Sequence, residues 1–155
     1  MMIRIDVFAE DNNWSKKIKK KEEFFNKICK GFPKKYKFIN KKIFLTLLLS
    51  NNQNIKKLNK KFRNKDRATD ILSFPTTKKF KLQKNYYLGD IIISYNFINK
   101  PKNQKIKDFK KNLIKTFIHG FLHLLGFDHS KLSDYKKMLK EEHKIYKSVS
   151  KKWAN

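Results

Sequence analysis

The sequence predicts an α+β chain with α/β-type layers: a short mixed β-sheet of about four strands packed with helices, one of them long and buried. Three observations lead there. Runs with period two or rich in β-branched residues alternate with runs of helical period along the chain. The length, 155 residues, is about one domain's worth, and residues 1–155 are expected to form a single domain. With 39% hydrophobic residues, among them 14 Phe, 6 Tyr and 2 Trp, one core can be filled despite a mean hydropathy of -0.74.

Ile3, Ile5 and Val7 alternate with Arg4, Asp6 and Phe8, which predicts a first strand. Ser15 offers an N-cap to an amphipathic helix that carries Ile18, Phe24, Phe25 and Ile28 on one side. After the break at Gly31 to Pro33, the Ile-, Leu- and Phe-rich run from Lys41 to Ser50 reads as a second, more buried strand. Ser50 or Asn51 can cap a short helix through Ile55, Leu58, Asn59 and Phe62, and Ala68 to Pro75 returns to strand character. A lysine-rich loop comes next. Leu88 to Ser94, with three consecutive isoleucines, is expected to be a central strand. From about Lys105 to Leu125, Phe109, Leu113, Phe117 and Phe121 form one i, i+4 stripe and Ile114, Ile118 and Leu122 the next, predicting the long buried helix. Ser130 or Ser133 starts a last helix through Met138, Leu139, Glu142 and Ile145, and Trp153 can pin its tail.

Composition bounds the partners. Lys+Arg 39 against Asp+Glu 13 gives a formal charge of +26, which opposes compaction unless salt or a polyanion screens it. A nucleic-acid partner is one reading. The other is compositional drift, because all the basic residues except Arg4, Arg63 and Arg67 are lysines in a chain also rich in Asn, Ile and Phe. In that background a retained arginine, the better group for bidentate phosphate binding, is more informative than any one lysine. Cys29 is the single cysteine, so no intramolecular disulfide is possible, and Asp6, Glu10 and Asp11 stand where a signal peptide would be basic and then apolar. A cytoplasmic location is expected. The longest apolar stretches, Ile43–Leu49 and Phe117–Phe127, fall short of the roughly 20 residues that span a bilayer, so no membrane partner is expected.

Chemistry concentrates in the segment from His119 to His129, which holds three of the 4 histidines. His119 and His123 stand at i and i+4 on one helical face and can converge on one ion at roughly 2.0–2.1 Å. His129 reaches the same ion only if the chain turns back, and Gly126 is placed to allow that in a left-handed conformation. Three neutral nitrogens with a fourth position open describe a catalytic type of zinc site, and the spacing H-x-x-x-H-x-x-G-x-x-H is that of metzincin proteases. The residue after the first histidine is where it departs: the protease base is Glu there, and here it is Gly120. Peptide hydrolysis by that route lacks its base.

At these residues the chain resembles a known family. The segment His119 to His129 matches every specified position of the H-G-x-L-H-L-x-G-[YF]-D-H motif of the YbeY family, single-domain bacterial zinc endoribonucleases that mature ribosomal RNA. Asn59 to Pro75 is similar to that family's N-x-x-[YF]-R-x-K-D-x-x-T-[DN]-V-L-S-F-P, and Leu88 to Ser94 to its L-G-D-I-x-I-S. The resemblance runs from about Leu58 to Ile145 and is only general before Lys41.

It implies one Zn2+ per chain on His119, His123 and His129, with Arg63 as the arginine needed for activity. Together these would be the catalytic residues, with Arg63 also binding substrate. A fixed guanidinium opposite a metal makes a two-sided clamp on a scissile phosphate. Thr69, Asp70 and Ser73 either line the substrate cleft or are ordinary strand and cap residues, Asp70 pairing with Arg67 or Lys65. Asp128 either accepts the outer N–H of a zinc histidine, supporting the metal from behind, or anchors the turn before His129. Asp90 and His143 are read as structural and solvated. The implied activity is single-strand-specific endoribonuclease cleavage in maturation of the 3′ end of 16S rRNA and in ribosome quality control. Single-stranded rRNA and the small ribosomal subunit are the implied partners, with ribosomal proteins or assembly GTPases beside them. The rivals are a noncatalytic ribosome-assembly factor with structural zinc and a zinc hydrolase of peptide or amide substrates.

Overall fold

The computed structural model describes residues 3–77 and 84–154. Its strands are β1 (Ile3–Ala9), β2 (Lys42–Ser50), β3 (Ile71–Pro75) and β4 (Asn85–Ser94). Its helices are α1 (Asn13–Lys17), α2 (Lys21–Lys30), α3 (Asn52–Arg63), α4 (Tyr95–Ile98), α5 (Ile106–Leu124) and α6 (Leu132–Ala154), with a 3-10 turn at Lys34–Tyr36. The four strands form one mixed sheet in the order β1-β2-β4-β3, parallel except for the antiparallel β3/β4 pair. The α+β class with a short mixed sheet is therefore present, and β4 is central as its isoleucines imply.

Helices α2 and α5 cover one face of the sheet, α6 packs on α5, and α3 lies against β3 and β4. The main core fills the first of these spaces. Trp14, Phe25, Phe109, Phe117 and Phe121 are fully buried there beside Leu45, Leu47 and Leu49 of β2. A second cluster, Ile55 with Leu72 and Ile92, seats α3. Both apolar stripes of α5 are buried because the helix lies between the sheet and α6.

The structure corrects several boundaries. The first helix is two helices, and Ser15 lies inside α1 rather than capping it; Asn12 is the N-cap and makes no side-chain capping bond. A continuous helix would place Lys21 and Glu22 one turn beyond buried Ile18. The chain instead extends at Ile18 (φ -135) and restarts, bringing Phe24, Phe25 and Ile28 inward. Asn51 is the cap of α3, its side chain accepting from the Asn54 N–H at 2.9 Å. β3 begins at Ile71 and not Ala68, since the Asp70 side chain accepts the Ile71 N–H in a turn, and β4 reaches back to Asn85. Ser133 falls within α6 rather than before it.

The lysine-rich loop expected after Pro75 lies partly at 78–83, outside the described residues. Trp153 does pin the tail, edge-on to Phe24 at 5.3 Å with Lys27 over its ring. Asp90 is bridged to Thr46 by the Tyr87 hydroxyl, and His143 is exposed on α6. Among the described residues no helix is long and apolar enough to cross a membrane.

Candidate active site

Helix α5 carries His119 and His123 one turn apart near its C-terminus, so the helical repeat alone brings their rings to 4.6 Å between centroids. The chain reverses just beyond the helix end. The Phe127 N–H bonds to the Leu122 carbonyl at 3.1 Å and the Gly126 N–H to the His123 carbonyl at 3.0 Å, with Gly126 at φ 95. This pair of bonds around a left-handed residue is the Schellman cap, and it suits glycine because a Cβ there is strained. The reversed chain returns the Phe127 carbonyl to within 2.9 Å of His123 Nδ1 and stacks the His129 ring on His119, 5.5 Å between centroids.

One nitrogen from each of His119, His123 and His129 lies within 4.8 Å of the others. His119 Nε2 and His123 Nε2 are 3.1 Å apart. Two nitrogens on one tetrahedral zinc would be about 3.3 Å apart at Zn–N distances of roughly 2.0–2.1 Å, so the His119–His123 pair already stands at ligand spacing with His129 close by. Protonation favours it too. Burial first, and then the neighbouring His119 and His129, hold the His123 imidazole below its ordinary range, against the Phe127 carbonyl and Asp128, which raise it. Neutral imidazole is the metal-binding form.

Gly120 faces the sheet. A Cβ there would stand 2.4 Å from Ile71 Cδ1, 3.1 Å from Ser73 Oγ and 3.3 Å from Ile91 Cγ2, so α5 lies too close to β3 and β4 for a carboxylate at this position. The protease base is absent from the sequence, and a side chain in its place would require Ile71 to move and Ser73 and Ile91 to give way.

Opposite the histidines lies the segment from the end of α3 to β3. Arg63, Thr69, Asp70, Ser73 and Asp128 line the same cleft as the three histidines, a cavity of about 560 Å³. Arg63 is exposed but held: its Nη2 donates to the Ser73 carbonyl at 2.7 Å and its guanidinium lies 5.4 Å from the centre of the Phe74 ring. Ser73 is buried and its hydroxyl donates to the Gly120 carbonyl at 3.2 Å, tying β3 to α5. Its contribution to the cleft is therefore its backbone carbonyl. The Thr69 hydroxyl donates to Asp70, and Asp70 also accepts the Ile71 N–H at 2.8 Å; among the described residues no ion pair joins Asp70 to Arg67 or Lys65.

Of the two readings of Asp128, the turn anchor is the one seen. Its carboxylate accepts the His129 backbone N–H at 2.7 Å, and that bond holds it below the ordinary carboxylate range. The outer nitrogens of His119 and His123 go elsewhere: His123 to the Phe127 carbonyl, and His119 Nδ1 to Glu142 of α6. Sequence reasoning placed Glu142 on the last helix without a role. Its signal was a carboxylate on an apolar stripe, between Met138 and Ile145, where a charge needs a partner.

Comparison with known proteins shows the family. A family model described as "Endoribonuclease YbeY" matches residues 8–150. The chain is 65% identical over 153 residues to a protein of Pelagibacter ubique named Endoribonuclease YbeY, covering 99% of this chain and 100% of that one. It is 40% identical over 103 residues to a protein of the same name from Aliarcobacter butzleri, covering 66% of this chain and 71% of the other. A solution structure from Thermotoga maritima is similar at a TM-score of 0.57 and 28% identity, covering 99% of this chain and 92% of that one.

Proposed function

The chain belongs to the YbeY endoribonuclease family and is an RNA-cleaving hydrolase on that ground; we propose that it cuts single-stranded RNA in the histidine–arginine cleft, with one zinc ion on His119, His123 and His129. The observation that carries this reading is that one cleft holds both a cluster of three imidazole nitrogens and a guanidinium already fixed in place. Zinc bound there would supply Lewis acidity toward a phosphate oxygen or toward water.

The chain's own groups do the rest. With one donor on the Ser73 carbonyl and its plane beside Phe74, Arg63 keeps its remaining N–H groups for the non-bridging oxygens of the scissile phosphate. Because the guanidinium is held before substrate arrives, it offsets the growing negative charge without reorganising. The Schellman cap and the Asp128 turn hold His129 toward the other two rings. Lys65 and Arg67, which line the cleft beside Arg63, would track the RNA backbone.

The substrate in this reading is the 3′ end of 16S rRNA in the small ribosomal subunit and in defective ribosomes, met in the cytoplasm. Residues 1–155 act as one domain, with ribosomal proteins or an assembly GTPase as partners. The test is cleavage of a labelled single-stranded 3′ fragment of 16S rRNA, with bound zinc measured in the same preparations. Wild type should bind about one zinc and cut, while Arg63→Glu and His123→Ala stay folded and do not cut. Zinc bound by a wild type that leaves both the fragment and small subunits intact would replace the enzyme with an assembly factor.

A further inference from the structure

Helix α6 reaches the histidine cluster where Glu142 Oε1 lies 2.5 Å from His119 Nδ1, both side chains partly buried. The two residues are 23 positions apart and belong to different helices, so the contact exists only because α6 packs on α5. We infer that Glu142 is a positioning residue for the metal centre: its carboxylate takes the Nδ1–H of His119 and so fixes which nitrogen of that ring faces the metal. The inference rests on the reading that the three histidines hold zinc.

With Nδ1 as the donor, the lone pair of His119 is on Nε2, the atom that meets His123 Nε2. His123 is set the same way by the neutral Phe127 carbonyl, so of these two rings only His119 has a charged acceptor behind it among the described residues. A carboxylate behind a ligating imidazole raises its basicity and fixes its ring, and losing such a partner weakens metal binding by about 10–100-fold. Lys115 and His143 line the small cavity beside Glu142, yet among the described residues neither forms an ion pair with it. Its partner is the metal histidine.

The competing role is purely structural, Glu142 serving only to dock α6. Metal affinity separates the two. The full chain, stripped with chelator, is titrated with Zn2+ against a chromophoric chelator, alongside a thermal melt of the metal-free protein. The variants are Glu142→Ala, Glu142→Gln and, as a docking control, Met138→Ala, which is buried on the same stripe. We expect Glu142→Ala to bind Zn2+ about 10–100-fold more weakly. Glu142→Gln should lose less, because it keeps an oxygen acceptor. Met138→Ala should melt lower with its Zn2+ affinity unchanged.

Folded Glu142→Ala with wild-type affinity overturns the inference, as does an equal loss of affinity in Met138→Ala. If Glu142→Ala does not fold, Glu142→Gln decides by the same criterion. A folded wild type that binds no Zn2+ rejects the metal reading itself, a result distinct from wild-type binding that is indifferent to Glu142.

Discussion

An arginine at the end of a surface helix is ordinarily a solvated charge, and Arg63 differs because a carbonyl and an aromatic ring hold it over a cleft. Its planar fork is what those contacts and a phosphate both use. Arg63→Lys keeps the charge and loses the fork, so RNA cleavage should fall by about 10²-fold with the melting temperature nearly unchanged, read by single-turnover kinetics beside a thermal melt. Gly120 makes the complementary point. Gly120→Glu would restore the protease-like residue, yet its side chain must enter the space held by Ile71, Ser73 and Ile91. It should lower stability by about 3 kcal/mol in chemical denaturation and create no peptidase activity. The three histidines were legible because their chemistry and spacing are local. Ser73 was not, because only the packing of β3 on α5 shows its hydroxyl spent on the Gly120 carbonyl.

Among the elements, the site depends on how α5 ends. Gly126→Ala forces a Cβ into a left-handed conformation at a cost of about 1–2 kcal/mol, and the chain can relieve this only by loosening the turn that returns His129. Weaker Zn2+ binding, out of proportion to the drop in melting temperature, is the expected signature. Upstream, Asp11 ties the start of α1 to α3, its carboxylate accepting from the Asn13 N–H at 2.8 Å and the Asn51 side chain at 2.9 Å. Burial pushes this carboxyl up, but those bonds and Lys16 together outweigh it and leave the group below its ordinary 3.8. A depressed carboxylate stabilises the fold above its unfolded value, and that contribution is lost as pH falls through the folded value. Asp11→Asn should therefore melt below wild type at pH 6, the gap closing as the pH drops below about 3.8. Period and cap residues made α3 and α5 readable. The split between α1 and α2 is harder to read, since Ile18 and the apolar residues of α2 fall on one stripe of helical period.

For the molecule as a whole, the +26 charge is a global field that folding must tolerate and a polyanion can relieve. Added salt should raise the melting temperature of the free protein while weakening its hold on single-stranded RNA. The log of the binding constant should fall linearly with log salt, by about 0.7 for each phosphate neutralised. A flat response in a fluorescence-anisotropy titration would remove the basic groove from the functional account.

Local features of the chain were enough to specify the α+β alternation, the buried α5, the three histidines with the turn that gathers them, and the family to which the chain belongs. All of these are carried by short-range period, by side-chain chemistry at close spacing, or by motif. The strand order β1-β2-β4-β3, the closure of the Gly120 position, the fixing of Arg63 by Ser73 and Phe74, and the approach of Glu142 to His119 came instead from packing. Each of these depends on one element lying against another. Such placements arise from burying several apolar faces at once, which no single stretch of chain encodes.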